Sequence, residues 1–164
     1  MSKLHASLSV LEILGVAVKK EVEAANFYKD LAARIPNPII KERFLSIAKE
    51  ERKHRALLQH EYQRLTGEAK PPLPKADAQD RDEFDVHTAS IEDALLYAIQ
   101  AERAAQKLYA TAAKASSDPR GQQMLEYLVE FEKGHERQLK GELEFYRKSP
   151  LWFEETEDLI HVGP

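Results

Sequence analysis

Glutamate and histidine stand three residues apart as Glu51 and His54 in "EERKHRALL", and again as Glu132 and His135 in "FEKGHERQL". Carboxylate oxygen and imidazole nitrogen both bind divalent cations, and a spacing of three puts the two groups on one face of a helix. A single copy carries little weight. With six histidines and 28 acidic residues in 164, about one Glu-x-x-His arises by chance. The second copy lies 81 residues after the first, and the same offset relates other residues. "AVKKEVEAANFY" (17–28) lies over "AIQAERAAQKLY" (98–109), matching Glu21 with Glu102, Ala24 with Ala105 and Tyr28 with Tyr109. Leu58 falls on Leu139. One segment is used twice without a gap, and internal repeats of this kind disclose architecture.

The elements that must position these residues read as four helices. Ser9, followed three residues later by Glu12, opens the first as a capping box. Its apolar stripe runs through Leu11, Leu14, Val18, Ala25, Tyr28, Ala32 and Ile35, with Glu21 in the gap, and Pro36 and Pro38 stop it. Asn37 caps the second helix, which carries Ile40, Phe44, Ile47, Leu58, Tyr62 and Leu65 and ends at Thr66-Gly67. Residues 67–89, rich in Pro and Asp and without apolar periodicity, read as a surface crossover. Ser90 opens the third helix, with Ile91, Leu95, Ala98, Ala105, Tyr109 and Ala112 on one face and Glu102 in its gap. Asp118-Pro119 opens the fourth, with Leu125, Leu128, Leu139, Leu143 and Tyr146, and Pro150 ends it. Hairpin 9–66, crossover 67–89, hairpin 90–148 and a tail 149–164 with a short helical piece make one all-α domain. Its topology is the ferritin-like variant of the four-helix bundle.

Glu21 lies 15 residues before Pro36 and Glu51 lies 15 after it, while Ser117 is the corresponding midpoint between Glu102 and Glu132. At 1.5 Å per residue all four carboxylates sit roughly 22 Å from their turns. Two hairpins packed face to face therefore bring four carboxylates and two imidazoles to one level. One Glu from each of two helices and Glu-x-x-His from each of the other two is a two-metal carboxylate arrangement. The ligand types suit iron and manganese. Glu51 and Glu132 are expected to bridge, Glu21 and Glu102 to cap the individual ions, and His54 and His135 to bind one ion each. Without cations, four buried carboxylates would take up protons. Tyr28 and Tyr109, two turns beyond the capping carboxylates, are expected to donate to a ligand oxygen.

Other chemistry-bearing residues read as ordinary surface. Glu61 and Glu142 obey the 81 offset but fall near helix ends and read as surface charges. Glu23, Glu50, Glu130 and Glu136 leave the stripe and read as solvated face. His5, His60, His87 and His161 have no partner pattern, and Asp158-x-x-His161 lies in the tail. Trp152 and Phe153 read as a packing or dimer contact.

The composition narrows the function classes. A charged fraction of 32% with net charge −4 suggests a soluble chain with no nucleic-acid or membrane partner. The absence of cysteine excludes disulfides, thiol catalysis and cysteine-held metal clusters, and fits a reducing compartment. "LSVLEILGVAV" is interrupted by Glu12 and lacks the front and cleavage site of a secretory signal, so a cytoplasmic location is expected.

Over roughly Leu8 to Lys148, the segments "EVEAANFYKDLA", "AKEERKHRALL", "AERAAQKLYATAA" and "FEKGHERQL" resemble the ligand segments of rubrerythrin-type ferritin-like di-iron proteins. The resemblance implies two iron ions (Fe2+/Fe3+, with manganese possible) on Glu21, Glu51, His54, Glu102, Glu132 and His135, and the two tyrosines around them. It implies reduction of hydrogen peroxide or dioxygen in oxidative-stress defence or iron handling. Full-length rubrerythrins add a cysteine-built rubredoxin-like domain, so a separate electron-donor protein is expected here. They also place an extra Glu three residues after the third-helix ligand, where this chain has Ala105. Bacterioferritin is similar in its six ligands, which makes ferroxidase-type iron storage or delivery the alternative. Its haem-binding Met follows the second-helix Glu, where this chain has Arg52, so no haem is expected. A homodimer is the expected assembly.

Overall fold

A computed structural model describes residues 9–71 and 84–156. Five helices follow in order: α1 Val10–Ala33, α2 Pro38–Thr66, α3 Ile91–Ala115, α4 Pro119–Lys148 and the short α5 Leu151–Glu154. His5, Asp158, His161 and most of the crossover lie outside the described residues. Among the described residues no helix is long and apolar enough to cross a membrane.

Each long helix starts where a short polar side chain can satisfy its open N–H groups. Ser9 Oγ accepts from Glu12 N, Asn37 Oδ1 from Ile39 and Ile40 N, Ser90 Oγ from Asp93 N and Asp118 Oδ2 from Gly121 N. Proline follows two of these caps and cannot spoil a bond that the first turn does not make. α2 ends on Gly67 at φ 77°, whose N–H closes on Gln63 O at 2.8 Å.

α1 packs on α2 and α3 on α4, and the two hairpins meet chiefly through α1 and α3. Arg34 ties the end of the crossover to α1, donating to Val86 O and Ala89 O at 2.6 Å each. The apolar core falls into two clusters. One holds Tyr28, Leu31, Phe44, Ile47, Leu95, Leu139 and Phe153; the other holds Leu14, Val18, Leu58, Tyr62, Tyr109, Leu125 and Leu128. Burying each large side chain contributes about 1.5–3 kcal/mol. The tail extends the first cluster: Phe153 is buried against Phe145 and Tyr146, and its carbonyl accepts from Asn37 N at 3.3 Å. Trp152 stays 46% exposed. Leu11 and Leu65, on the expected stripes, are also exposed because they sit in end turns that no neighbouring helix covers.

Glu61 and Glu142 correct the sequence reading, since both are buried. Each is held by an arginine. Arg43 Nη2 donates to Glu142 Oε2 at 2.9 Å across α2 and α4, and Arg64 donates to both Glu61 and Asp118, tying the end of α2 to the start of α4. Gly121 leaves room for this second cluster, since a Cβ there would come within 2.9 Å of Asp118 Oδ2 and 3.1 Å of Glu61 Oε1. Arg43→Ala would leave Glu142 buried and unpaired. Discounted for an arginine that is 40% exposed, the expected loss is about 1–2 kcal/mol. A fall in Tm of roughly 2–8 °C on thermal unfolding checks it.

Candidate metal centre

Between the two apolar clusters lies one polar layer. Glu21 comes from the middle of α1, Glu51 and His54 from α2, Glu102 from α3, and Glu132 and His135 from α4; each is 1–3% exposed. The six ligand candidates therefore meet in one layer. They form two overlapping groups. Glu21, Glu51, His54 and Glu132 make one, and Glu51, Glu102, Glu132 and His135 make the other; within each, one ligand atom per residue lies within 4.8 Å of the rest. Glu51 and Glu132 belong to both.

Both rings turn Nδ1 into this cage. His54 Nδ1 lies 3.2 Å from Glu132 Oε1, 3.5 Å from Glu51 Oε2 and 3.9 Å from Glu21 Oε1. His135 Nδ1 lies 2.9 Å from Glu51 Oε1, 3.0 Å from Glu132 Oε2 and 3.7 Å from Glu102 Oε1. Glu21 Oε2 is buried with no hydrogen-bond partner, and so is Glu51 Oε1, whose nearby His135 nitrogen lies outside hydrogen-bonding geometry.

The four carboxylates and two imidazoles shift one another's protonation. Burial drives Glu21 and Glu102 well above the usual carboxylate range, and the adjacent carboxylates of Glu51 and Glu132 push the same way. Burial also opposes ionisation of Glu51 and Glu132, but the adjacent Glu21 and Glu102 respectively, and then both histidines, outweigh it and lower them. Burial disfavours a charged His54, yet the Glu132 and Glu51 carboxylates prevail and raise it to about 9. His135 rises further, against the same burial, through Glu102, Glu132 and Glu51. The upward shifts of the imidazoles and of the capping carboxylates show how strongly this layer favours added positive charge. Two orphaned carboxylate oxygens, two inward nitrogens and an all-oxygen-and-nitrogen donor set fit a pair of divalent ions such as iron or manganese.

The tyrosines close the layer from the opposite hairpin. Tyr28 Oη on α1 donates to Glu102 Oε1 on α3 at 2.5 Å, and Tyr109 Oη on α3 donates to Glu21 Oε1 on α1. Each is 1% exposed, and burial foremost raises its phenol well above the ordinary value, so it remains a donor. Tyr28→Phe is expected to keep the fold while lowering metal affinity about 10–100-fold, because the carboxylate loses the bond that aims it. Competition against a chelator of known affinity measures this; unchanged affinity would reduce the tyrosines to core packing.

Glu50 is the residue that sequence reading assigned to the wrong place. It is half-buried, and its Oε2 stands 2.6 Å from His135 Nε2. No periodic signal marks it, since it sits one residue off the stripe and reaches across to α4. Glu23 and Glu130 are exposed and paired with lysines, and Glu136 is held by Gln106, Arg103 and Lys140. His60 and His87 are exposed, as is Arg52.

An antiparallel bundle with two carboxylate–histidine groups at mid-height is the ferritin-like carboxylate class of protein. The chain belongs to the rubrerythrin family, whose family model matches residues 12–143. Among solved structures it is similar to a hypothetical protein from Pyrococcus furiosus, with 29% identity over 87% of this chain and 93% of that one and a TM-score of 0.74. A putative ferritin-like diiron-carboxylate protein from Thermotoga maritima shares 23% identity over 84% of this chain and 95% of its own, at a TM-score of 0.67. Rhodobacter capsulatus bacterioferritin, solved with a metal-free dinuclear site and a haem iron, shares 23% over 94% of each chain, at 0.69. No curated protein matches the chain.

Proposed function

We propose that this protein is a non-haem di-iron oxidoreductase that reduces hydrogen peroxide or dioxygen, serving oxidative-stress defence or iron handling. The observation that carries the reading is the pair of overlapping three-carboxylate, one-histidine groups that share Glu51 and Glu132. Glu21 and His54 would hold one ion, Glu102 and His135 the other, with Glu51 and Glu132 between them. Two bound irons would supply electrons to an oxygen–oxygen bond.

The chain's own groups provide the rest. Tyr28 and Tyr109 aim Glu102 and Glu21 inward and keep a proton on each phenol oxygen beside the cage. The apolar clusters on either side exclude water from the layer and so strengthen every electrostatic interaction within it. A cavity of about 510 Å³ lined by Glu50, His54, Leu57, His60, Tyr127 and Phe131 reaches the His54 ring, and a small oxidant would approach the cage from there. These 164 residues contain no cysteine and so hold no rubredoxin-type centre, and our reading gives the supply of electrons for turnover to a donor protein.

Ala105 favours a second reading. It is packed on the apolar cluster beside the cage, at the position where the rubrerythrin resemblance puts an additional glutamate. The six remaining ligands also suit a ferroxidase that loads or delivers iron. Anaerobic Fe(II) titration followed by stopped-flow mixing with hydrogen peroxide and, separately, dioxygen tests both. Two irons per chain and repeated fast turnover of peroxide with a reductant are expected. Single-turnover oxidation by dioxygen, with many irons retained in a large assembly, would favour the ferroxidase. Far fewer than two irons per chain would sink the di-iron reading.

A further inference from the structure

The 81 offset that makes the ligands symmetric fails at the position just before each shared glutamate. Glu50 stands before Glu51, and Phe131 stands before Glu132. The consequence is visible behind the two histidines. His135 Nε2 faces the Glu50 carboxylate at 2.6 Å. Phe131 packs edge-on against both rings, at 4.5 Å between centroids from His54 and 5.3 Å from His135, but His54 Nε2 has no protein acceptor among the described residues. The His54 ring lines the 510 Å³ cavity directly, whereas on the His135 side Glu50 lines it and stands between the cavity and the ring.

We propose that the two metal positions are unequal by construction: the ion on Glu102 and His135 binds first and tightly, and the ion on Glu21 and His54 is the weaker, exchangeable one. The inference rests on the metal-cage reading above and adds an order to it. Glu50 is a positioning residue. By accepting Nε2–H it fixes the His135 tautomer whose Nδ1 lone pair points into the cage, and the carboxylate makes that nitrogen a stronger donor to a cation. It also sets one negative charge directly behind His135, in contact with that ring. An aromatic ring behind His54 can neither select a tautomer nor add charge. The His54 ring itself lines the cavity, so exchange with solvent is expected on its side.

The test is an anaerobic titration with Co(II), read by its visible absorption and by competition with a chelator. The wild-type chain is expected to bind two ions in steps about 10–100-fold apart. His54→Ala should remove the weaker step and His135→Ala the tighter. Glu50→Leu should draw the tighter step down to the weaker one and leave the weaker unmoved, which separates positioning from general damage. Glu50→Gln, which keeps an acceptor without the charge, should fall between. Phe131→Glu should tighten the His54 step and serves if Glu50→Leu does not fold. Two equal steps in the wild type, or a gap unaffected by Glu50→Leu and Phe131→Glu, would overturn the inference while leaving a two-ion cage intact. Failure of the wild type to bind any ion would instead overturn the cage reading itself.

Discussion

The Glu51→Ala, Glu132→Ala double variant is expected to bind neither ion at concentrations that saturate the wild type, whereas Glu21→Ala retains one. The difference follows from membership. Glu51 and Glu132 each lie in both four-residue groups, while Glu21 lies in one. Removing the shared pair leaves one carboxylate and one imidazole at each position, too few to replace a cation's water shell. Removing Glu21 leaves the Glu51, Glu102, Glu132 and His135 group whole. Thermal unfolding reports the same contrast. An ion present at 100 times its Kd stabilises the fold by about 2.7 kcal/mol. For a chain of this size that corresponds to a rise in Tm of roughly 5–11 °C per ion. The expected pattern on adding Fe(II) without oxygen is a two-ion rise in the wild type, a one-ion rise in Glu21→Ala and none in the double variant. Undiminished binding in the double variant would place the ions elsewhere.

Metal binding at neutral pH is expected to release at least two protons per chain, with affinity rising steeply as pH increases toward 9. His54, raised to about 9, and His135, raised further, both carry a proton at pH 7. A cation on Nδ1 must displace it. Glu21 and Glu102, shifted upward by burial and their neighbouring carboxylates, hold their own protons to higher pH than free glutamates do, and add to the release. The sign is fixed by the direction of these shifts. Below the raised values, protons compete with cations and affinity falls; above about 9 the His54 competitor is gone and the dependence becomes shallower, with His135 still competing. Each displaced proton contributes a tenfold change in affinity per pH unit. Calorimetric titration in buffers of different ionisation heats counts the protons directly. Release of fewer than two would show that the histidines are neutral in the empty cage, or that they do not ligate.

The cage was legible because its ligands obey two periodicities at once, the helical stripe and the 81-residue repeat. Glu21 and Glu102 interrupt apolar stripes at matched positions, and helix rise alone equalised their heights with Glu51 and Glu132. The caps at Ser9, Asn37, Ser90 and Asp118 were equally plain, since each satisfies a local need of the backbone. What escaped was contact between segments distant in the chain. Glu61 and Glu142 looked like surface charges because their arginine partners, Arg64 and Arg43, are placed by turns or by helix crossing and not by any repeat. Glu50 escaped for the same reason. The tyrosines were expected to meet a ligand carboxylate, but the sequence did not say that each would choose the opposite hairpin's. Leu11 and Leu65 show the limit of the stripe: periodicity tells which face a residue takes, and only packing tells whether a neighbour covers it.

The crossed tyrosine bonds carry a historical consequence. Every part that one hairpin offers the cage finds its complement in the other: Tyr28 reaches Glu102, Tyr109 reaches Glu21, and each shared glutamate serves both sides. Two separate copies of a single hairpin, associated about a twofold axis, would build the same cage. The chain has the form of such a pair after duplication and fusion. In one joined chain the two halves need not be identical, and Glu50 in one stands where the other has Phe131.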